Sequence, residues 1–307
     1  MARGAIGLDL GGTKILGLLV TEAGEVLRRT TVPTRAGGAE PVLDDLAAAA
    51  EALLAEARER VEVVAVGLGA PGPLDPDEGI IHSMPNLPGV EGVPLGARLS
   101  ERLGLPAVLE NDANAALRGE LAFGAGRGHR NALLFTLGTG VGGALAIHGE
   151  LVAGVTGAAG ELGHIIVEPG GRRCGCGHRG CLETVASGRA VGAIGREDGV
   201  TEDEDAAAVL RAAAADHVAA QQVLNRAGRA LGQALAGLVN AVNPSICLIG
   251  GGFGTAAFER LETPIRDELV KGCFAIAHEA LELKVAALGN DAGALGAASA
   301  ALGRVSG

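Results

Sequence analysis

Three cysteines lie within eight residues, Cys174, Cys176 and Cys181, and follow His164 in the run GELGHIIVEPGGRRCGCGHRGCLE. Three soft thiolates and one imidazole make a Cys3His donor set for a tetrahedral zinc ion, and the glycines let the chain turn tightly around it. The spacing is shorter than in common zinc fingers, so His164 has to arrive on a separate strand. His178 competes for the fourth position, and a free-thiol cluster or an adventitious disulfide competes with the metal reading. Four protein ligands leave no open position for an activated water. Such a metal is structural, and it positions the acids on either side of it, Glu161 and Glu183.

A second cluster, LENDANAALRGE, holds Glu110, Asn111, Asp112 and Asn114. Val108 and Leu109 read as the end of a strand, which places Asn111 and Asp112 at its carboxyl mouth, where α/β proteins bind ligands. A carboxylate there can take a proton from a substrate hydroxyl. Asn and Asp before Ala-Ala-Leu are also good helix N-caps. A third cluster, DLGGTK from Asp9 to Lys14, joins a strand-ending carboxylate to two glycines, a hydroxyl and an ammonium. Glycines let backbone amides approach a polyanion, and Asp9 suits a hydrated Mg²⁺. The competing reading is a tight hairpin with a surface lysine.

Two matches to the dinucleotide pattern, Gly67/Gly69/Gly72 and Gly138/Gly140/Gly143, lack the helix that must begin at the third glycine. DLGGTK likewise misses the P-loop spacing, because Thr13 intervenes before Lys14 and a strand follows.

The elements that must carry these groups repeat. AIGLDL, ILGLLV and VLRRTTV read as three strands separated by glycine turns. An amphipathic helix over 42–60 and a strand VEVVAVGLG follow. A strand over 131–137, the turn GTGVGG, a strand ALAIHGELV, a helix-rich section over 184–241 and the strand ICLIGGG repeat the plan. LGNDAGALGAASAAL closes the chain as a small-residue helix. Two related α/β lobes with a cleft between them are expected, the boundary near 118–125.

Composition narrows the function. Apolar residues make up 48% and charged residues 20% of 307 residues, a globular balance. The net charge of -11 disfavours nucleic acid as a partner. There is no Trp and no Tyr, so specificity for a sugar or base must come from hydrogen bonds and charge. Ala230 to Phe258 carries no formal charge over 29 residues, but its Asn, Gln, Pro and glycines fit a soluble helix, strand and turn rather than a membrane span. No secretory signal is visible at the start, so a reducing cytoplasm is expected.

DLGGTK, ENDAN, GTGVGG, AGELGH…CGCGHRGCLE and the late IGGG occur in this order over essentially the whole chain, and together they resemble the ROK family of sugar kinases, in its glucokinase-like branch. The resemblance implies two ribonuclease-H-like lobes of the hexokinase, actin and heat-shock ATPase fold. Residues 1–118 with the helix at about 292–307 would form the small lobe, and 119–291 the large lobe with the zinc loop. It implies transfer of phosphate from Mg-ATP to the 6-hydroxyl of glucose, with Asp112 as general base. Asn86, Asn111, Asp112, Glu161, His164 and Glu183 match sugar-contacting positions. Asp9, Gly11, Gly12, Thr13 and Lys14, then Gly138, Thr139 and Gly140, match the phosphate loops, and Gly251 and Gly252 the adenosine side. His164, Cys174, Cys176 and Cys181 match the zinc ligands, and Asp9 would hold Mg²⁺. A homodimer or homotetramer is expected. Mannose, fructose, N-acetylglucosamine or N-acetylmannosamine as acceptor, polyphosphate as donor, and a non-catalytic sugar-binding regulator are the alternatives.

Overall fold

The computed structural model describes residues 2–57, 60–75, 78–82, 84 and 87–306. The chain forms two units: residues 1–128 with 151–159 and 290–307, and residues 129–150 with 160–289.

In the first unit the three opening strands are β1 (Ala2–Leu10), β2 (Lys14–Thr21) and β3 (Val26–Pro33). Helix α1 (Ala39–Ala57) leads to β4 (Val61–Ala70). A two-residue ribbon, β5 (Leu74–Asp75) with β6 (Ile80–Ile81), precedes α2 (Leu95–Leu103), β7 (Ala107–Asn111) and α3 (Asp112–Phe123). The sheet order is β3-β2-β1-β4-β7, with β1, β4 and β7 parallel. Side chains alternate across a strand. Ile6, Leu8 and Leu10 therefore point into one core with Leu43, Leu46 and Leu53 of α1 and Leu95 and Leu99 of α2. Gly7 and Asp9 point to the other face.

The second unit repeats the plan. A meander of β8 (Ala132–Leu137), β9 (Val141–Ile147) and β10 (Glu150–Leu151) opens it. Four helices follow, α4 (Glu183–Ala186), α5 (Gly188–Glu197), α6 (Ala206–Ala214) and α7 (Val218–Val242). Then come β11 (Ile246–Gly250), α8 (Gly252–Gly272), α9 (Ala275–Glu279) and β12 (Glu282–Val285). The order β10-β9-β8-β11-β12 matches the first sheet, with β8, β11 and β12 parallel. These are the two ribonuclease-H-like sheets that the resemblance implies.

The last helix, α10 (Ala292–Ser306), belongs to the first unit. It packs on the face opposite α1, and only glycine permits the approach. A methyl group at Gly7 would sit 1.8 Å from Ala294 O, and one at Gly67 would sit 1.8 Å from Ala297 O.

Two local expectations are corrected. ALAIHGELV is not one strand: His148 and Gly149 take positive φ of 55° and 89° and turn the chain into β10. The GTGVGG turn is also shorter than it reads, because β9 begins at Val141 and pairs it with Leu137. The uncharged run 230–258 divides into the end of α7, β11 and the start of α8. Among the described residues no helix is long and apolar enough to cross a membrane.

Candidate active site and metal centre

The candidate residues fall into two sets, one on each unit. On the first unit they gather where the parallel strands end. Register pairs Asp9 with Gly69 and Ala70 with Asn111, so the carboxyl ends of β1, β4 and β7 share one edge of the sheet. The turn 11–13 leaves β1 at that edge. Gly11 N–H donates to Lys14 O (3.0 Å), and Thr34, just past β3, braces the turn: its Oγ1 donates to Gly11 O (2.8 Å) and its N–H to Thr13 O (3.0 Å). Thr13 and Lys14 are exposed.

Asp9 is half-buried and faces the first turn of α10, where a methyl group at Gly293 would lie 3.1 Å from its Oδ2. Burial pushes its carboxyl up to about 6, against the opposing pull of the Lys14 ammonium. A desolvated acid of this kind suits a hard divalent cation.

Asn111 is both strand end and helix cap. Its Oδ1 accepts from Ala113 N–H (3.0 Å) and Asn114 N–H (3.1 Å), while its Nδ2 donates to Gly72 O (3.1 Å). The N-cap reading of this segment thus holds for Asn111. Asp112 is the first residue of α3, half-buried, with Oδ1 accepting from Ala113 N–H at 2.7 Å. Glu110 is held by a bidentate pair with Arg118, at 2.7 and 2.9 Å. Asn114 is 6% exposed, and its Oδ1 is a buried acceptor without a partner among the described residues. Asn86 lies outside the described residues.

On the second unit, the loop 138–140 links β8 to β9, with Gly138 N–H donating to Gly140 O (3.0 Å). Gly251 (φ 79°) enters α8 beside the end of β8, and a methyl group there would meet Leu137 O at 2.4 Å. Gly252 then begins α8, whose N-terminal amides form a ready anion-facing end.

The metal loop is built by backbone bonds before any ion is considered. Cys174 N–H donates to His178 O (2.8 Å), and Gly180 N–H to Arg172 O (2.9 Å). Gly180 has φ 78° and presses on Glu168 O, which a methyl group would meet at 1.8 Å. One donor atom each from His164, Cys174, Cys176 and Cys181 lie within 4.8 Å of one another. Cys174 Sγ is 3.6 Å from His164 Nδ1, and Cys176 Sγ is 3.7 Å from Cys181 Sγ. Zinc bonds of ~2.3 Å to sulfur and ~2.0 Å to nitrogen in a tetrahedron have edges of roughly 3.8 and 3.5 Å, so the donor set fits that ion. The sulfur separation far exceeds the ~2.05 Å of a disulfide.

His178 stands outside the set of four, with its Nδ1 3.4 Å from Cys176 Sγ. His164 turns its second nitrogen outward, Nε2 lying 3.9 Å from Glu161 Oε2. Glu161 is exposed. Glu183 opens α4, with Oε1 3.7 Å from Cys174 Sγ and Oε2 accepting from Val141 N–H at 3.1 Å.

Three contributors to these sites are not readable from motif spacing: Thr34, the Gly72 carbonyl and the Val141 amide. Backbone groups carry no residue signature, and Thr34 signals only that a polar residue follows a strand.

The ROK family profile matches residues 5–304. The chain belongs to the ROK family. A glucokinase of Thermotoga maritima is 40% identical, over 98% of each chain. The crystal structure of a ROK hexokinase from Thermus thermophilus superposes with a TM-score of 0.87 at 39% identity, covering 99% of both chains. That of a ROK family glucokinase from Streptomyces griseus, in complex with glucose and AMPPNP, gives 0.80 at 35%, covering 98% of this chain and 99% of that one. The ROK protein described here accordingly has the actin-like ATPase fold.

Proposed function

We propose that this ROK protein is an ATP-dependent glucokinase that phosphorylates the 6-hydroxyl of glucose. The observation that carries the reading is 40% identity to a glucokinase over 98% of each chain, with Asp112 standing at the mouth of a parallel strand. Asp112 accepts the proton of the 6-hydroxyl as that oxygen attacks the γ-phosphorus in line. Its Oδ1 is held by the Ala113 amide, which keeps the carboxylate oriented. Asn111, held at both ends of its amide, supports the sugar beside it. Asn86, Glu161, His164 and Glu183 supply the remaining hydroxyl partners, a hydrogen-bonding set suited to a chain without Tyr or Trp. The loops 11–13 and 138–140 receive the phosphates, and Gly251 and Gly252 the adenosine side.

Two ions belong to the proposal. Asp9 would hold Mg²⁺, which neutralises charge on the phosphates of ATP. His164, Cys174, Cys176 and Cys181 would hold a structural Zn²⁺. His164 Nδ1, which lies 3.6 Å from Cys174 Sγ, would be its ligand nitrogen, and Nε2 would then be an N–H donor of fixed tautomer. A homodimer or homotetramer in the cytoplasm completes the reading.

The test is ADP release with Mg-ATP against glucose, mannose, fructose, N-acetylglucosamine and N-acetylmannosamine. Highest kcat/KM with glucose is the expected result. Highest kcat/KM with another hexose would reassign the acceptor, and no turnover with any sugar in zinc-loaded protein would overturn the activity.

A further inference from the structure

Both ends of the metal-binding segment bear on one residue, Val141, at the start of β9. From one side Gly163, the neighbour of His164, packs so closely that a methyl group on it would lie 2.0 Å from Val141 O. From the other, Glu183 Oε2 accepts the Val141 N–H at 3.1 Å. The same carboxylate lies over Gly140, where a methyl group would meet Oε2 at 2.4 Å. A further bond, Gly188 N–H to Gly138 O at 2.8 Å, fixes the other end of the loop. Glu183 follows the ligand Cys181 by two residues, and its other oxygen, Oε1, is 3.7 Å from the Cys174 sulfur. The backbone that carries this carboxylate is therefore anchored by the donor cluster.

We propose that Glu183 is a positioning residue that ties the loop 138–141 to the Cys/His cluster, so that metal occupancy sets the order of this loop and its affinity for nucleotide phosphates. The nucleotide part rests on the kinase reading above; the tie between metal and loop does not. When the cluster opens, the segment carrying Cys181 and Glu183 gains freedom, and the Val141 amide loses its acceptor. Glycine at 140 follows from the same contact, since any side chain there would displace the carboxylate.

Hydrogen exchange read by mass spectrometry on the peptide containing 138–141 tests the tie directly. Exchange is expected to rise roughly tenfold on chelation of the metal and in Glu183→Ala, as for loss of one hydrogen bond. Glu183→Gln should restore protection, because its amide oxygen still accepts. Unchanged exchange in chelated protein and in Glu183→Ala would overturn the proposal. So would a rise spread equally over β8 to β12, which would mean general unfolding of the unit. Calorimetry with Mg-AMPPNP and no sugar gives the second readout. A Kd weakened several-fold by chelation and by Glu183→Ala, and recovered in Glu183→Gln, is expected, and an unchanged Kd would overturn the nucleotide part. No binding of Mg-AMPPNP to loaded wild type would sink the kinase reading instead, with the exchange result still deciding the tie.

Discussion

The side-chain amide of Asn111 joins two strands and a helix: its Nδ2 donates to Gly72 O at 3.1 Å, just past β4, while its Oδ1 caps α3. One residue thus sets the distance between the end of β4 and the helix that begins with Asp112. Asn111→Ala should lower stability by about 1–2 kcal/mol, the usual loss for an N-cap. Asn111→Asp keeps the cap but sets a carboxylate against the Gly72 carbonyl, so denaturant unfolding should place it between the two. An alanine variant as stable as wild type would remove Asn111 from this role.

Asp112→Asn separates chemistry from architecture at the next residue. Asparagine retains an oxygen for the Ala113 amide but cannot accept a proton at neutral pH. Turnover with Mg-ATP and glucose should fall ~10²–10⁴-fold, the range for loss of a general base. Stability should drop only by the ~0.3–1 kcal/mol of a charge at a helix N-terminus. Near-normal turnover would exclude Asp112 as the base.

Much of this was legible in sequence, for identifiable reasons. Ile6, Leu8 and Leu10 alternate as a strand must, and the strand, hairpin, helix, strand plan recurs, so the doubled sheet could be read. The cysteine cluster was readable because its ligands are local. His178 stayed a rival of His164 because spacing cannot say which imidazole turns inward. The split at His148 and Gly149 went unread because a positive φ at His148 has no clear residue signal. The Glu183 to Val141 bond spans 42 residues and ends on a backbone amide, so no pattern of residue types encodes it.

Asp9 makes stability depend on pH in a definite direction. Burial raises its folded-state pKa from 3.8 to about 6, so the folded protein holds this proton more tightly than the unfolded chain does. Free of metal and nucleotide, the protein should therefore lose stability as pH rises from about 4 to about 6. The loss through this residue is at most ~3 kcal/mol and stays constant above that range. Asp9→Asn removes the penalty, so it should be the more stable protein at pH 8 and no more stable at pH 4, while binding Mg-AMPPNP poorly. Lower stability than wild type at pH 8 in urea titrations would contradict this account.

The cluster cysteines should differ once the metal is removed. Cys176 is exposed, and hydrogen bonds from the His178 backbone and ring pull its thiol down to about 6. Cys174 and Cys181 are buried, and burial pushes both thiols up. At pH 7 a chelated sample should show one fast thiol with a disulfide reagent, absent from Cys176→Ser and suppressed by added Zn²⁺. Three equally fast thiols would mean that the loop does not keep its shape without the ion.

Two glycine-to-alanine substitutions should act in opposite directions. At Gly67 the new methyl group would lie 1.8 Å from Ala297 O and 2.3 Å from its carbonyl carbon, both backbone atoms of α10. Neither can rotate away, so α10 must lift off β4. Overpacking of this kind costs ~1–3 kcal/mol or more, and Gly67→Ala should lose at least that. Gly237 is an exposed position inside α7 with nothing within 4 Å of a methyl group. Gly237→Ala should gain about 0.5–1 kcal/mol, because alanine loses less backbone entropy in a helix. Urea midpoints of the two variants measure the contrast directly. A Gly67→Ala protein as stable as wild type would show that α10 does not seat backbone to backbone on the sheet.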